Sequence, residues 1–242
     1  MSEGKEVPRL SPSIAKLLLD KSPLHAWNAH RLMGGNAEKA TASKLLGSAA
    51  DVATLGVETK PDGKKKRPAP KRDAKAKAIS EAVKSALSMR NIVGISQHRL
   101  EWTVNGVDCS GYIDLTDLST ARFWDLKTAA DLSDENITRQ IEKYHYNMQI
   151  AAYAEGLMLA GYAGAVGTLI FVESDTPHDV RFVPLSDRLF SAGLADWHRA
   201  QKKWRHCLLN NKWPGRGDFV ADVSGWRLSR EPGFTDLDEQ NL

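Results

Sequence analysis

The stretch from Arg99 to Thr128 constrains this chain more than any other part of it. It reads as three short strands joined by tight turns. Asn105-Gly106 is a hairpin signal, and Asp117-Leu118-Ser119-Thr120 separates the next two apolar runs. Side chains alternate faces along a strand, so Asp125 and Lys127 point one way and Leu126 the other. Antiparallel pairing through the second turn brings Asp114 beside Asp125. Two carboxylates and an ammonium then converge on one face of a sheet. Burying an unpaired charge costs several kcal/mol or more, and a divalent cation is the expected partner for such a set.

The acid-x-Lys tripeptide is weak evidence by itself. It begins at Glu3, Glu58, Asp62, Asp73 and Asp125. The first four lie in polar, Lys-rich or terminal segments. Only Asp125-Leu126-Lys127 lies in an apolar run, with a second acid-ended strand before it. The plain alternative is a surface ion pair on a sheet edge, a contact worth little.

A chain of 242 residues, 42% hydrophobic and 26% charged, is long and apolar enough for one large domain with a core. No run of about 18 apolar residues is present, so no membrane span is expected. The opening Met-Ser-Glu-Gly-Lys-Glu lacks the apolar core of a signal peptide. Cys109 and Cys207 are too few for a disulfide scaffold, a structural zinc site or an iron–sulfur cluster. A reducing cytoplasm is the expected compartment. The formal net charge of +3 is spread unevenly: nine basic residues lie between Lys60 and Lys77 against Asp62 and Asp73, while 218–242 leans acidic.

Along the chain, Ser11-Pro12 caps a first helix and Ser22-Pro23 a second, which is expected to run to Gly34-Gly35. A third helix is predicted over Thr41–Leu55, with Gly47 and Asp51 four residues apart and so on one face. Residues 57–77 form a Pro-, Gly- and Lys-rich loop, either a solvated segment or a phosphate-contacting arm carrying Lys64, Lys65, Lys66, Arg67, Lys71 and Arg72. A helix over Ala74–Met89 leads into the three-strand unit. Beyond it, a single long helix is predicted over Thr138–Ala160, with His145, Gln149 and Tyr153 in one polar-aromatic stripe. Strands at Val166–Val172 and Val180–Leu185 and a helix at Ser186–Asn210 follow. This order predicts a mixed α/β sheet covered on both faces. Residues 1–10 and 219–242 read as tails around one domain at 11–218.

Taken together, Ile113-Asp114 and Asp125-Leu126-Lys127 resemble the signature of the PD-(D/E)XK nuclease superfamily, whose core is restriction-endonuclease-like: a central mixed β-sheet flanked by helices. Gln149-Ile150-Ala151-Ala152-Tyr153 looks like the Gln-x-x-x-Tyr motif of its RecB-like branch, and Gly47-Ser48-Ala49-Ala50-Asp51 sits where that branch has Gly-x-x-x-His. Ser22-Pro23, Tyr144-His145-Tyr146-Asn147-Met148-Gln149, Phe171-Val172-Glu173 with Pro177, and Trp213-Pro214-Gly215 are similar to the RecE, or exonuclease VIII, exonuclease domain. The similarity runs in order from about Ser11 to Gly215. Asp51 in place of histidine is a departure, although aspartate also suits Mg²⁺, which prefers oxygen.

The resemblance implies a Mg²⁺- or Mn²⁺-dependent DNA exonuclease, bacterial or phage-encoded. It implies a homo-oligomeric ring that degrades one strand of double-stranded DNA from its 5′ end and passes the 3′ overhang to a single-strand annealing protein. With the chemistry of the residues, it makes Asp114, Asp125 and the Leu126 carbonyl metal ligands, with Asp51 and Glu101 as further candidates. Lys127 is the catalytic lysine, and Gln149 and Tyr153 position the nucleotide. Two other readings stay open: a non-catalytic nuclease-fold binding module, since fold does not fix function, and an endonuclease or repair nuclease of the same superfamily.

Overall fold

The Asn105-Gly106 turn sets the register of everything built on it. Both residues have positive φ, 51° and 71°, as a type I′ turn requires. The turn joins β1 (Ile95–Val104) to β2 (Val107–Asp117) in one long antiparallel ladder from Val104↔Val107 to Ile95↔Thr116. Asp117 then accepts from the Ser119 and Thr120 hydroxyls and the Ser119 backbone N–H, closing the turn into β3 (Arg122–Ala129). The β2–β3 ladder is short: Asp117↔Arg122, Thr116↔Phe123 and Leu115↔Trp124, after which the strands part.

This computed structural model describes residues 7–36 and 74–223. The helices in that range are α1 (Pro12–Asp20), α2 (Pro23–Ala29), α3 (Ala74–Met89), α4 (Asp134–Lys143), α5 (Tyr146–Leu159) and α6 (Asp187–Asn210). β4 (Val166–Glu173) lies parallel to β3, as a connection through α4 and α5 allows, and β5 (Val180–Pro184) pairs antiparallel with β4. The sheet order is β1-β2-β3-β4-β5. Phe123, Leu169 and Phe171 face α1, α5 and α6, whereas Trp124, Leu126, Ile170 and Val172 face Ile79 and Val83 of α3. The expected mixed sheet with helices on both faces is what forms. No helix among the described residues is long and apolar enough to cross a membrane.

Three expectations about local structure need correction. The helix expected over Thr138–Ala160 is two helices, broken at His145, whose backbone is left-handed at φ 55° and ψ 39°. Tertiary contacts cause the break: His145 Nε2 bonds Asp20 Oδ1 of α1 at 2.7 Å, and Nδ1 faces Asp196 Oδ2 of α6 at 3.5 Å. The second helix stops at Ala29 rather than at Gly34-Gly35, because His30 is extended and its buried ring bonds the Arg9 carbonyl at 3.1 Å. The N-terminal tail also ends earlier than residue 10. Leu10 is fully buried and bridges β2, donating to the Asp108 carbonyl and accepting from the Ser110 N–H.

α5 is the helix that positions the site. It is buried almost all round, from Asn147 to Leu157, between the sheet and α6. Two glycines permit that depth. A Cβ on Gly193 of α6 would meet the Asn147 backbone at 2.4 Å, and one on Gly111 of β2 would meet Tyr153 Cε1 at 2.4 Å. Tyr153 therefore presses directly on the β2 backbone close to Asp114.

Candidate active site

Where β2 and β3 part, the Asp114 side chain takes over from the ladder. Its Oδ2 accepts from the Leu126 backbone N–H at 2.8 Å, and its Oδ1 accepts from Gln97 Nε2 at 2.9 Å. Gln97 is the residue of β1 opposite Asp114, and it too departs from the ladder, with φ at +49°. A left-handed non-glycine residue inside a strand carries roughly 1 kcal/mol or more of strain. That strain lies beside the site.

Asp125 and Lys127 share a face of β3, as the strand period requires. Asp125 is 1% exposed. Its Oδ1 accepts from Gln149 Nε2 at 2.9 Å, and its Oδ2 is ion-paired with Lys127 Nζ and has no hydrogen bond besides that pair. Gln149 Nε2 also lies 3.1 Å from Tyr153 Oη, so one amide ties the α5 stripe to the carboxylate. The Leu126 side chain points away, into the α3 cluster.

Burial first, and the Asp125 carboxylate second, push Asp114 from an ordinary 3.8 up to about 7. Lys127 and the Leu126 and Gln97 hydrogen bonds oppose this only in part. For Lys127, burial works against the charge, but Asp125 and then Asp114 outweigh it and hold the ammonium above its ordinary value. Burial, with help from Asp125, raises Tyr153, which stays a neutral phenol at neutral pH. Two carboxyl groups thus share one ammonium in the gap between β2 and β3, and Asp114 gives up its proton there less readily than an ordinary aspartate.

Of the residues named from sequence, Asp114, Asp125, Leu126, Lys127, Gln149 and Tyr153 come together here. Glu101 does not. It lies opposite Ser110 of β2, four residues or about 13 Å of strand from Asp114. There it is exposed and paired with Arg9 at 3.3 Å and with Arg99. Asp51, and with it Lys64, Lys65, Lys66, Arg67, Lys71 and Arg72, lies outside the described residues. Among the described residues no group of three or more His, Cys, Asp or Glu side chains is placed to hold a metal ion. A site here has two carboxylates and main-chain oxygen to offer.

Two contributors were missed by the sequence reading. Tyr146 places its ring 4.6 Å from Lys127 Nζ. Its spacing from Gln149 and Tyr153, i, i+3 and i+7, was the available signal, obscured by putting His145 in the stripe. Gln97 was recoverable from the hairpin register, which sets it opposite Asp114.

The profile of a family described as "PDDEXK-like domain of unknown function (DUF3799)" matches residues 30–221. No curated protein matches the chain. Among solved structures, one described as "Putative exonuclease" from Eubacterium rectale superposes with a TM-score of 0.67 at 15% identity, covering 96% of this chain and 98% of that one. A second, described as a phage related exonuclease from Haemophilus somnus 129PT, gives 0.42 at 12% identity, covering 84% and 96%. The first likeness extends the agreement in fold over nearly the whole length of both chains. With its profile matched across most of the sequence and the paired aspartates and lysine on its central strands, the chain belongs to the PDDEXK-like DUF3799 family.

Proposed function

We propose that this chain is a divalent-cation-dependent deoxyribonuclease, using Mg²⁺ or Mn²⁺, that degrades one strand of linear double-stranded DNA from the 5′ end and leaves 3′ overhangs for recombination or annealing. One observation carries the reading: Asp114 and Asp125 are held together in the gap between β2 and β3, with Lys127 and Gln149 bonded to the second of them. The Eubacterium rectale protein of the same fold is described as a "Putative exonuclease", and that activity is carried over here as part of the proposal.

The residues suit a hard cation. Asp114, Asp125 and the Leu126 carbonyl offer oxygen only, the donor type Mg²⁺ and Mn²⁺ prefer, and the excess negative charge opposite Lys127 is what a divalent ion neutralises. Asp51 is proposed as a further ligand. Bound there, the cation supplies Lewis-acid stabilisation of the charge that develops on the phosphate.

The protein groups do the rest. Lys127, kept as an ammonium, orients the attacking water and offsets charge on the phosphate oxygens. Gln149 fixes the Asp125 carboxylate, and the neutral Tyr153 phenol fixes Gln149. Tyr146 limits where the Lys127 ammonium can go. A homo-oligomeric ring and a single-strand annealing partner belong to the same proposal, through the RecE-like resemblance. The test is a gel assay with end-labelled linear duplex. Hydrolysis in Mg²⁺ that stops with chelator is the expected result, and turnover in excess chelator sinks the cation-dependent reading.

A further inference from the structure

Tyr144 is the outer end of an aromatic strip that begins at Lys127. From Lys127 Nζ the Tyr146 centroid is 4.6 Å away, and the Tyr146 and Tyr144 rings are 5.6 Å apart with planes tilted by 35°. Tyr146 is half-buried, whereas Tyr144 is 38% exposed. Two more ammonium groups sit over the outer ring: Lys16 Nζ of α1 at 4.6 Å from its centroid and Lys143 Nζ of α4 at 5.5 Å.

The strip is held in place by the helix break. Left-handed His145 separates the two tyrosines, so one ring turns inward to Lys127 while the other stays at the surface. Its imidazole is fixed to Asp20 and Asp196, so α1, α5 and α6 all meet at this point. A partly exposed ring with two ammonium groups over it, joined through Tyr146 to Lys127, suits a ligand that alternates flat rings with negative charges. Unpaired nucleic acid has that pattern. Bases of any sequence stack on aromatic side chains while their phosphates take the cations.

We propose that Tyr144 is a stacking platform for an unpaired base of the strand bound at the Asp114–Asp125–Lys127 site, and that Lys16 and Lys143 bind the phosphates flanking that base. An exposed cation–π contact is weaker than base–aromatic stacking, so the base displaces the ammonium groups from the ring and they swing onto its phosphates. The proposal rests on the nuclease reading only for which strand is bound.

The test compares a thymidine oligonucleotide with an abasic oligonucleotide of equal length, both followed by fluorescence anisotropy in chelator. Wild-type protein binds the thymidine strand more tightly. Tyr144→Ala weakens that binding roughly ten-fold, within the range for removing one base–aromatic stack, and leaves abasic binding unchanged. Tyr144→Phe, which keeps the ring, binds as wild type. Joint Lys16→Gln and Lys143→Gln substitution lowers the salt slope by about 0.7 for each phosphate no longer neutralised. Wild-type protein that does not distinguish the two strands, or Tyr144→Ala protein that binds thymidine normally, overturns the platform. An unchanged salt slope overturns the part given to the lysines. Hydrolysis of labelled duplex in Mg²⁺ is measured in parallel. Base discrimination without hydrolysis rejects the nuclease reading and leaves the platform, and hydrolysis without discrimination does the reverse.

Discussion

Asp114 accepts from the Leu126 backbone N–H at 2.8 Å, in the position a β2 carbonyl would fill had the ladder continued past Leu115↔Trp124. The strands separate, and a side chain closes the opening with a charge. A carboxylate used in this way is tied to the backbone of the residue between Asp125 and Lys127. Asp114 of β2 is thereby fastened to the β3 residue that separates Asp125 from Lys127.

The first prediction follows from how few partners Asp125 has. Lys127→Ala removes the cation paired with a carboxylate that is 1% exposed. It should abolish hydrolysis, a loss on the order of 100-fold or more for one transition-state donor. DNA affinity should stay near wild type, since one phosphate contact is a small share of the total. It should also destabilise the metal-free fold by roughly 3–5 kcal/mol, the cost of leaving a buried charge unpaired. A double variant with Asp125→Asn should recover much of that loss, because the uncompensated charge goes with it. Urea unfolding of the wild type and the two variants decides the matter.

The strand region was legible because its signals are local. Period-two alternation put Asp125 and Lys127 together, and Asn105-Gly106 fixed the hairpin, from which even Gln97 opposite Asp114 could be read. What was illegible depends on distant partners. Nothing within Thr138–Ala160 forbids a continuous helix; the break comes from Asp20 and Asp196, far away in sequence. The same holds for His30, which ends α2 through the Arg9 carbonyl. Glu101 lies on the same hairpin as Asp114, and only the register showed that Arg9 and Arg99 claim it instead.

A second prediction concerns pH. The folded-state pKa of Asp114 lies at about 7, above its ordinary 3.8. Its contribution to the stability of the metal-free protein is therefore complete below about 3.8 and is lost as pH rises through about 7. The Tm of metal-free protein should fall from mildly acid to mildly alkaline pH. Asp114→Asn should flatten that slope and raise Tm on the alkaline side. An amide keeps one acceptor for Leu126 N–H, and its NH₂ can bond a flipped Gln97 carbonyl. If the slope survives in this variant, Asp114 is not the titrating group.

Gln149 gives a third test. Its amide serves both Asp125 Oδ1 and Tyr153 Oη, so Gln149→Leu leaves two polar atoms without that partner. The cost in stability should be about 1–3 kcal/mol. Mg²⁺ binding, followed by calorimetry, should weaken as well, because Asp125 loses the bond that fixes its orientation. Unaltered Mg²⁺ affinity would separate Gln149 from the cation site and return it to a packing role.

The last prediction is that the enzyme requires a DNA end and works from its 5′ side. The proposed ring, closed by heterologous interfaces, would make ends necessary, since a covalently closed circle cannot thread a central channel. Linear duplex should be consumed while closed circles survive in the same Mg²⁺ buffer. Placing the label on one end and then on the other reads the polarity, and labelled mononucleotide should come first from the 5′-labelled strand. Rapid nicking of closed circles would reject the ring and favour an endonuclease built on the same Asp114, Asp125 and Lys127. Release from the 3′ label first would leave that chemistry intact and reject the RecE-like direction. The two outcomes bear on different parts of the proposal: nicking of closed circles tests the proposed ring, and the order of release tests the proposed direction, while both leave the chemistry proposed for Asp114, Asp125 and Lys127 in place.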